Sequence, residues 1–197
     1  MTEPKRILLY FGSFNPTHNA HIAIAEYAIE QDLADEVVLV VSPHNPHKDA
    51  RGLASEFHRY EMASLAAAAS KYPDRILVSL VEMTLPKPSY TINTLRFLAR
   101  EFPDTRFSIL MGGDLVAKLD TWREAGEIIA NYDIYVYPRP YEDDIVPVGE
   151  RMHILWDAPL SDISSTAVRA HIAKGETIKE LMPREVAAYI DKHRLWK

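Results

Sequence analysis

Short apolar runs alternate with longer segments of helical periodicity along the chain. The runs at residues 6–11, 36–42, 75–80, 106–111, 133–137 and 153–157 predict strands. Two of them are apolar almost without a break: Val37-Val38-Leu39-Val40-Val41, and the run at 106–111. That pattern belongs to strands covered on both faces of a parallel sheet, because a strand with one wet face alternates polar and apolar positions. Between the runs, residues 19–31, 55–71 and 91–101 predict helices; in 55–71, Phe57, Tyr60, Met62 and Leu65 are interleaved with small alanines. Residues 115–131 hold one or two short helices around Trp122. Two helices close the chain: 164–174, with Ser at its start and Gly175 just past its end, and 183–194, with Pro at its first position. Strands alternating with helices predict an α/β architecture: a doubly wound, mostly parallel sheet with helices on both faces. Ligands of such sheets bind beyond the carboxyl ends of the strands. The loops expected there are residues 12–18, 42–52, 82–90 and 112–114. Residues 137–149 are Pro-rich and acidic and predict a surface loop.

At 197 residues the chain is expected to form one domain, with a C-terminal helical part at about 160–197. An apolar fraction of 47% with 25% charged residues is ordinary for a soluble globular protein. The net charge of −6 argues against a broad nucleic-acid-binding surface but leaves room for a small anion held by local cations. With no cysteine, disulfides, thiolate metal sites and cysteine nucleophiles are excluded, and a cytoplasmic setting fits. The N-terminal apolar run is too short for a secretory signal, and no stretch reaches the ~18 apolar residues a membrane helix needs. There is no G-x-G-x-x-G after a strand and no Walker A sequence, so any nucleotide is bound by another device.

The densest candidate chemistry is Gly12-Ser13-Phe14-Asn15-Pro16-Thr17-His18-Asn19-Ala20-His21. A strand stops at a Gly/Asn-Pro turn, and a helix starts with two histidines three positions apart, on one face of its first turn. Helix starts carry unpaired N–H groups and partial positive charge, so two imidazoles there make a receptor for phosphate oxygens. A metal site and two plain surface histidines are the rival readings; no carboxylate stands at an adjoining ligand spacing. Lys48, in the proline-stiffened loop Ser42-Pro43-His44-Asn45-Pro46-His47-Lys48, is a point charge for phosphate or a solvated lysine. In Ile163-Ser164-Ser165-Thr166-Ala167-Val168-Arg169, one hydroxyl suffices to cap the helix; the surplus and Arg169 point to an anion site. Gly112-Gly113-Asp114 allows close backbone approach, with Asp114 either accepting from ribose hydroxyls or capping the next helix. Trp122 beside Arg123 is either core or a surface for stacking a flat ring. The hydroxyls of Ser89-Tyr90-Thr91-Ile92-Asn93-Thr94 cap a helix or contact a ligand.

Taken in this order and spacing, these segments resemble the bacterial nicotinate-nucleotide adenylyltransferases, within the nucleotidyltransferase superfamily that carries an H-x-G-H motif. The resemblance runs nearly end to end and rests on Gly12 to Pro16 with His18 and His21, Pro46-His47-Lys48, the 89–94 segment, Gly112 and Asp114 with Trp122, and 163–166 with Arg169. It implies a Rossmann-like domain that joins ATP to nicotinate mononucleotide, giving deamido-NAD and pyrophosphate. It implies that His18, His21 and Arg169 act on the phosphates in the transition state. Gly12, Ser13, Phe14, Lys48, Gly112, Asp114, Ile163, Ser164, Ser165 and Thr166 would surround ATP, with Asp114 on the ribose. Asn15, Thr91, Trp122 and Arg123 would lie on the mononucleotide side, with Trp122 against the pyridine ring. Mg²⁺ would arrive on the triphosphate, held mostly by phosphates and water. No nucleic acid or membrane partner is implied; a homo-oligomer is left open.

Three positions depart from the family pattern. Ala20 stands where the motif has Gly, Phe11 where a small residue is usual, and Asn15 where Asp is frequent, which suits Asn15 to a structural turn role. The rival functions are a sibling adenylyltransferase acting on nicotinamide mononucleotide or phosphopantetheine, a nucleotide sensor without turnover, and a metal-dependent hydrolase using the histidines.

Overall fold

A computed structural model describes residues 3–43, 52–140 and 144–197. Its strands are β1 (Lys5–Gly12), β2 (Glu36–Val41), β3 (Ile76–Ser79), β4 (Thr105–Gly112), β5 (Ile134–Tyr137) and β6 (Met152–Ile154). They form one sheet in the order β3-β2-β1-β4-β5-β6, and every neighbouring pair is parallel. The sheet is therefore wholly parallel among the described residues, a step beyond the mostly parallel sheet expected. The chain winds outward from β1 to β3, then crosses back to β4 beside β1. That reversal leaves a crevice at the carboxyl ends of β1 and β4, where the loops leave in opposite directions.

The helices are α1 (Asn19–Glu30), α2 (Glu56–Ala68), α3 (Val81–Thr84), α4 (Thr91–Glu101), α5 (Ala125–Asn131), α6 (Ser165–Ala173) and α7 (Arg184–His193), with a 3₁₀ helix at Gly113–Thr121. Strand alternation divides the core between the two faces of the sheet. Leu8, Tyr10, Val37, Leu39 and Leu110 point to one face and pack with Ile24 and Ala28 of α1, Met62 and Ala66 of α2, Val168 of α6 and Val186 of α7. Leu9, Val40, Phe107, Ile109 and Met111 point to the other and pack with Ile92 and Leu95 of α4, Leu119 and Ile128. Both faces are covered, which is why β2 and β4 read as nearly continuous apolar runs. Among the described residues no helix is long and apolar enough to cross a membrane.

Three expectations change. Part of the 82–90 loop is helical: α3 makes one turn and buries Glu82, whose carboxylate accepts from Thr94 Oγ1 at 3.1 Å. One turn is too short to leave a periodic signal. The last strand lies at Met152–Ile154 rather than 153–157; it is an edge strand, and Trp156 beyond it is 53% exposed. In α2, Phe57 is 63% exposed and Arg59 is buried in its stead, because Arg59 is claimed by main-chain carbonyls described below.

Candidate active site

β1 ends at Gly12 and α1 begins at Asn19, with His18 as its N-cap. The rings of His18 and His21 lie 3.7 Å apart, centroid to centroid, and 31° from parallel. The backbone N–H of His18 donates to His21 Nδ1 at 3.2 Å. With Nδ1 accepting, a neutral His21 carries its proton on Nε2. His18 is 4% exposed, and its Nδ1 is buried without a hydrogen-bond partner among the described residues. Burial first, and the charge of Arg139 second, push the His18 pKa down to about 3. At neutral pH His18 is therefore uncharged, with its Nδ1 shut off from solvent behind the cleft lining. Phe14, in the left-handed region at φ 47°, sets its ring against Tyr10 and His21 (centroids 5.6 and 5.1 Å). Gly12 makes that possible, since a Cβ there would lie 2.9 Å from the Phe14 ring.

The start of α6 is fastened to the same turn, 149 residues or more away in sequence. Ser164 caps α6, accepting from Ala167 N at 3.1 Å. Ser165 Oγ donates to the Pro16 carbonyl at 2.9 Å, and Arg169 Nη1 donates to the Asn15 carbonyl at 2.8 Å. Arg169 Nη2 also reaches Thr166 Oγ1 at 3.3 Å. Two helix N-termini thus face one cleft of about 620 Å³, within the size range of nucleotide-scale ligand sites.

The ends of β4 and β5 form the opposite wall. Arg139 Nε donates to Asp114 Oδ1 at 2.7 Å, and its guanidinium lies over the Tyr137 ring at 5.8 Å. A Cβ on Gly112 would stand 2.5 Å from Asp114 Oδ1 and 3.1 Å from Arg139 Nε, so only glycine lets this pair sit against β4. The Tyr10 and Tyr137 hydroxyls share a buried hydrogen bond of 2.7 Å, and burial raises the Tyr10 hydroxyl well above its ordinary value.

Of the residues singled out from sequence, the cleft is lined by Gly12, Ser13, Phe14, Asn15, His18, His21, Gly112, Asp114, Ile163, Ser164, Ser165, Thr166 and Arg169, together with Phe11 and Ala20. The Asn15 amide is committed to the fold: Nδ2 donates to the Gly52 carbonyl and Oδ1 accepts from Ala54 N, each at 3.0 Å. Thr91, Trp122 and Arg123 do not line the cleft. Thr91 opens α4, Trp122 packs against the second core, and Arg123 lies over the Tyr90 ring at 4.9 Å. Leu115 joins the two regions, since it lines the cleft and packs on that core. Lys48, with Pro46 and His47, lies outside the described residues. Sequence reasoning missed Tyr10, Tyr137 and Arg139. The rule used for the other loops would have found Arg139: it follows β5 by two residues and so falls at the carboxyl edge of the sheet. The acidic, Pro-rich composition of 137–149 concealed it.

Residues 9–171 match the cytidylyltransferase-like family model, and the chain belongs to that family. A protein of Flavobacterium psychrophilum named "Probable nicotinate-nucleotide adenylyltransferase" is 39% identical, over 98% of this chain and 99% of its own. A Bacteroides fragilis protein of the same name is 39% identical over 87% of this chain and 84% of its own. Within the family, the chain is thus one of the nicotinate-nucleotide adenylyltransferases. The fold matches that of Plasmodium falciparum nicotinic acid mononucleotide adenylyltransferase complexed with NaAD, with a TM-score of 0.80 at 18% identity, covering 98% of this chain and 97% of that one. The same protein complexed with APC matches at a TM-score of 0.78 and 19% identity, with the same coverage.

Proposed function

We propose that this protein transfers an adenylyl group from ATP to nicotinate mononucleotide, giving deamido-NAD and pyrophosphate in NAD biosynthesis. The observation that carries this reading is the convergence of His18 and His21, at the start of α1, with Ser164, Ser165 and Arg169, around the start of α6, on one cleft. Relatives named for the same activity, nearly equal in length to this chain, support it.

The mononucleotide's 5′-phosphate is already a nucleophile near neutral pH. It attacks the α-phosphorus of ATP in line; the bond to the bridging oxygen breaks, and that electron pair leaves with pyrophosphate. No covalent enzyme intermediate is needed, so catalysis is positioning plus charge stabilisation. In this reading His21 donates from Nε2 to a phosphate oxygen. His18, uncharged, stacks on His21 and lines the same cleft. Arg169 and the α6 N–H groups hold the triphosphate from the other side. Asp114, oriented by Arg139, accepts from the ribose hydroxyls. Among the described residues no three carboxylates or imidazoles are grouped to hold a metal; Mg²⁺ enters on ATP as part of the substrate, held by phosphates and water. Thr91, Trp122 and Arg123, beyond Leu115, take the mononucleotide, and Lys48 joins the phosphate side. The whole chain serves as one cytoplasmic domain.

The test is product analysis after incubation with ATP, Mg²⁺ and a panel of nicotinate mononucleotide, nicotinamide mononucleotide and phosphopantetheine. Pyrophosphate and deamido-NAD should form fastest with the nicotinate acceptor. Preference for another acceptor would assign a sibling activity, and binding of ATP with no pyrophosphate from any acceptor would make the protein a sensor.

A further inference from the structure

One fully buried cation has no place in this scheme. Arg59, in the first turn of α2, is 0% exposed. Among the described residues its hydrogen bonds go to main-chain carbonyls: Nη1 to Ser13 at 2.8 Å and Ser42 at 2.6 Å, Nη2 to Pro43 at 2.8 Å, and Nε to Ala54 at 3.0 Å. Among the described residues no carboxylate bonds to it; Glu56 attracts its charge only through space. Buried charges are costly and are ordinarily paired with an opposite charge. Here the cost is borne at a particular place. Ser13 follows the end of β1, and Ser42 and Pro43 follow the end of β2, its sheet neighbour. Carbonyls at the carboxyl ends of adjacent parallel strands present partial negative charge where the cleft must receive an anion. Arg59 occupies three of them and leaves a net positive charge behind the turn. Through Ala54 it also holds the residue whose N–H fixes Asn15. The same turn is held from its other side by Arg169 on the Asn15 carbonyl.

We propose that Arg59 is a positioning residue of the triphosphate cradle: without touching substrate, it draws the Ser13 carbonyl away from the phosphates and fixes the turn that lines the cleft. This rests on the adenylyltransferase reading above. The test compares wild type with Arg59→Lys, which keeps the charge and loses the fork of donors, and Arg59→Met, which loses both. Thermal unfolding, KM and kcat for each substrate, and calorimetric Kd for a non-hydrolysable ATP analogue are measured well below each Tm. Arg59→Lys should fold, with KM for ATP and Kd for the analogue raised roughly 10-fold, about the worth of one charge-assisted hydrogen bond. KM for nicotinate mononucleotide should stay near wild type, and Arg59→Met should be worse than Arg59→Lys on the ATP side. A folded Arg59→Lys with wild-type ATP parameters, equal rises in both KM values, or failure of both variants to fold would reduce Arg59 to a scaffold residue and overturn the proposal. Loss of the adenylyltransferase reading is separately visible: wild type would bind the ATP analogue in an Arg59-dependent way yet release no pyrophosphate.

Discussion

His18 and His21 do different things although their rings are in contact. His21 is anchored by the His18 backbone N–H, so its orientation survives without substrate, and in the proposed mechanism its Nε2 proton is the donor to a phosphate oxygen. Replacing His21 with Ala should keep the fold and lower kcat by on the order of 10²–10³, the usual loss when one charge-stabilising donor is removed. Unchanged turnover in a pyrophosphate-release assay would remove His21 from the mechanism. His18 carries a pH signature instead. Its pKa falls from 6.5 unfolded to about 3 folded, so between these values the unfolded chain binds more protons and stability drops as pH falls. From pH 6.5 to 5 the loss attributable to this residue is ~2 kcal/mol. Denaturant titrations of wild type and His18→Gln should therefore diverge with pH, the variant having the flatter profile; parallel profiles would show that His18 titrates normally in the folded protein. Residue types and spacing revealed the pair in the sequence. The stacking and the buried Nδ1 could not be read there, because both depend on Tyr10, Phe14 and Arg139 closing around the imidazoles.

Element termini do most of the work at the cleft. Ser164 was legible as the N-cap of α6, and it is: its side chain accepts from Ala167 N. Ser164→Ala should cost about 1 kcal/mol, visible as a fall in Tm of roughly 2–4 °C for a chain of this size; an unchanged Tm would mean that another group caps α6 in solution. At the end of β4, Gly112→Ala puts a Cβ where the Asp114 carboxylate lies. The side chain can move, so the fold should persist while kcat/KM for ATP falls by roughly 10- to 100-fold, as expected for misplacement of a positioning group by about 1 Å. Wild-type ATP kinetics in that variant would detach Asp114 from nucleotide binding. The short elements were the hardest to read. α3 has too few turns for periodicity; the short helices expected around Trp122 are present, as the 3₁₀ helix and α5, but the left-handed Glu124 that starts α5 has no marker residue.

At the scale of the whole molecule, the switch between β1 and β4 is what lets residues 12–18 and 163–169 meet. Thr91, Trp122 and Arg123 sit past Leu115, beside the core on the sheet's other face, so the two substrates should be separable by mutation. Trp122→Ala should raise KM for nicotinate mononucleotide far more than KM for ATP; equal rises would mark Trp122 as a packing residue. The alternation of apolar runs and helical periodicity by itself determined the doubly wound sheet, because strands covered on both faces admit few polar positions. The motif spacing likewise picked out residues 12–18, 112–114 and 163–169 as segments of the candidate site, and all three contribute to one cleft. Only the tertiary structure decided which distant side chains share a wall. The Arg169 bond to Asn15, the Arg139–Asp114 pair and the seat of Arg59 among carbonyls each join segments at least 25 residues apart or draw on main-chain atoms common to every residue. A main-chain carbonyl is the same group at every position, so its choice of partner is fixed by packing and leaves no trace in residue type.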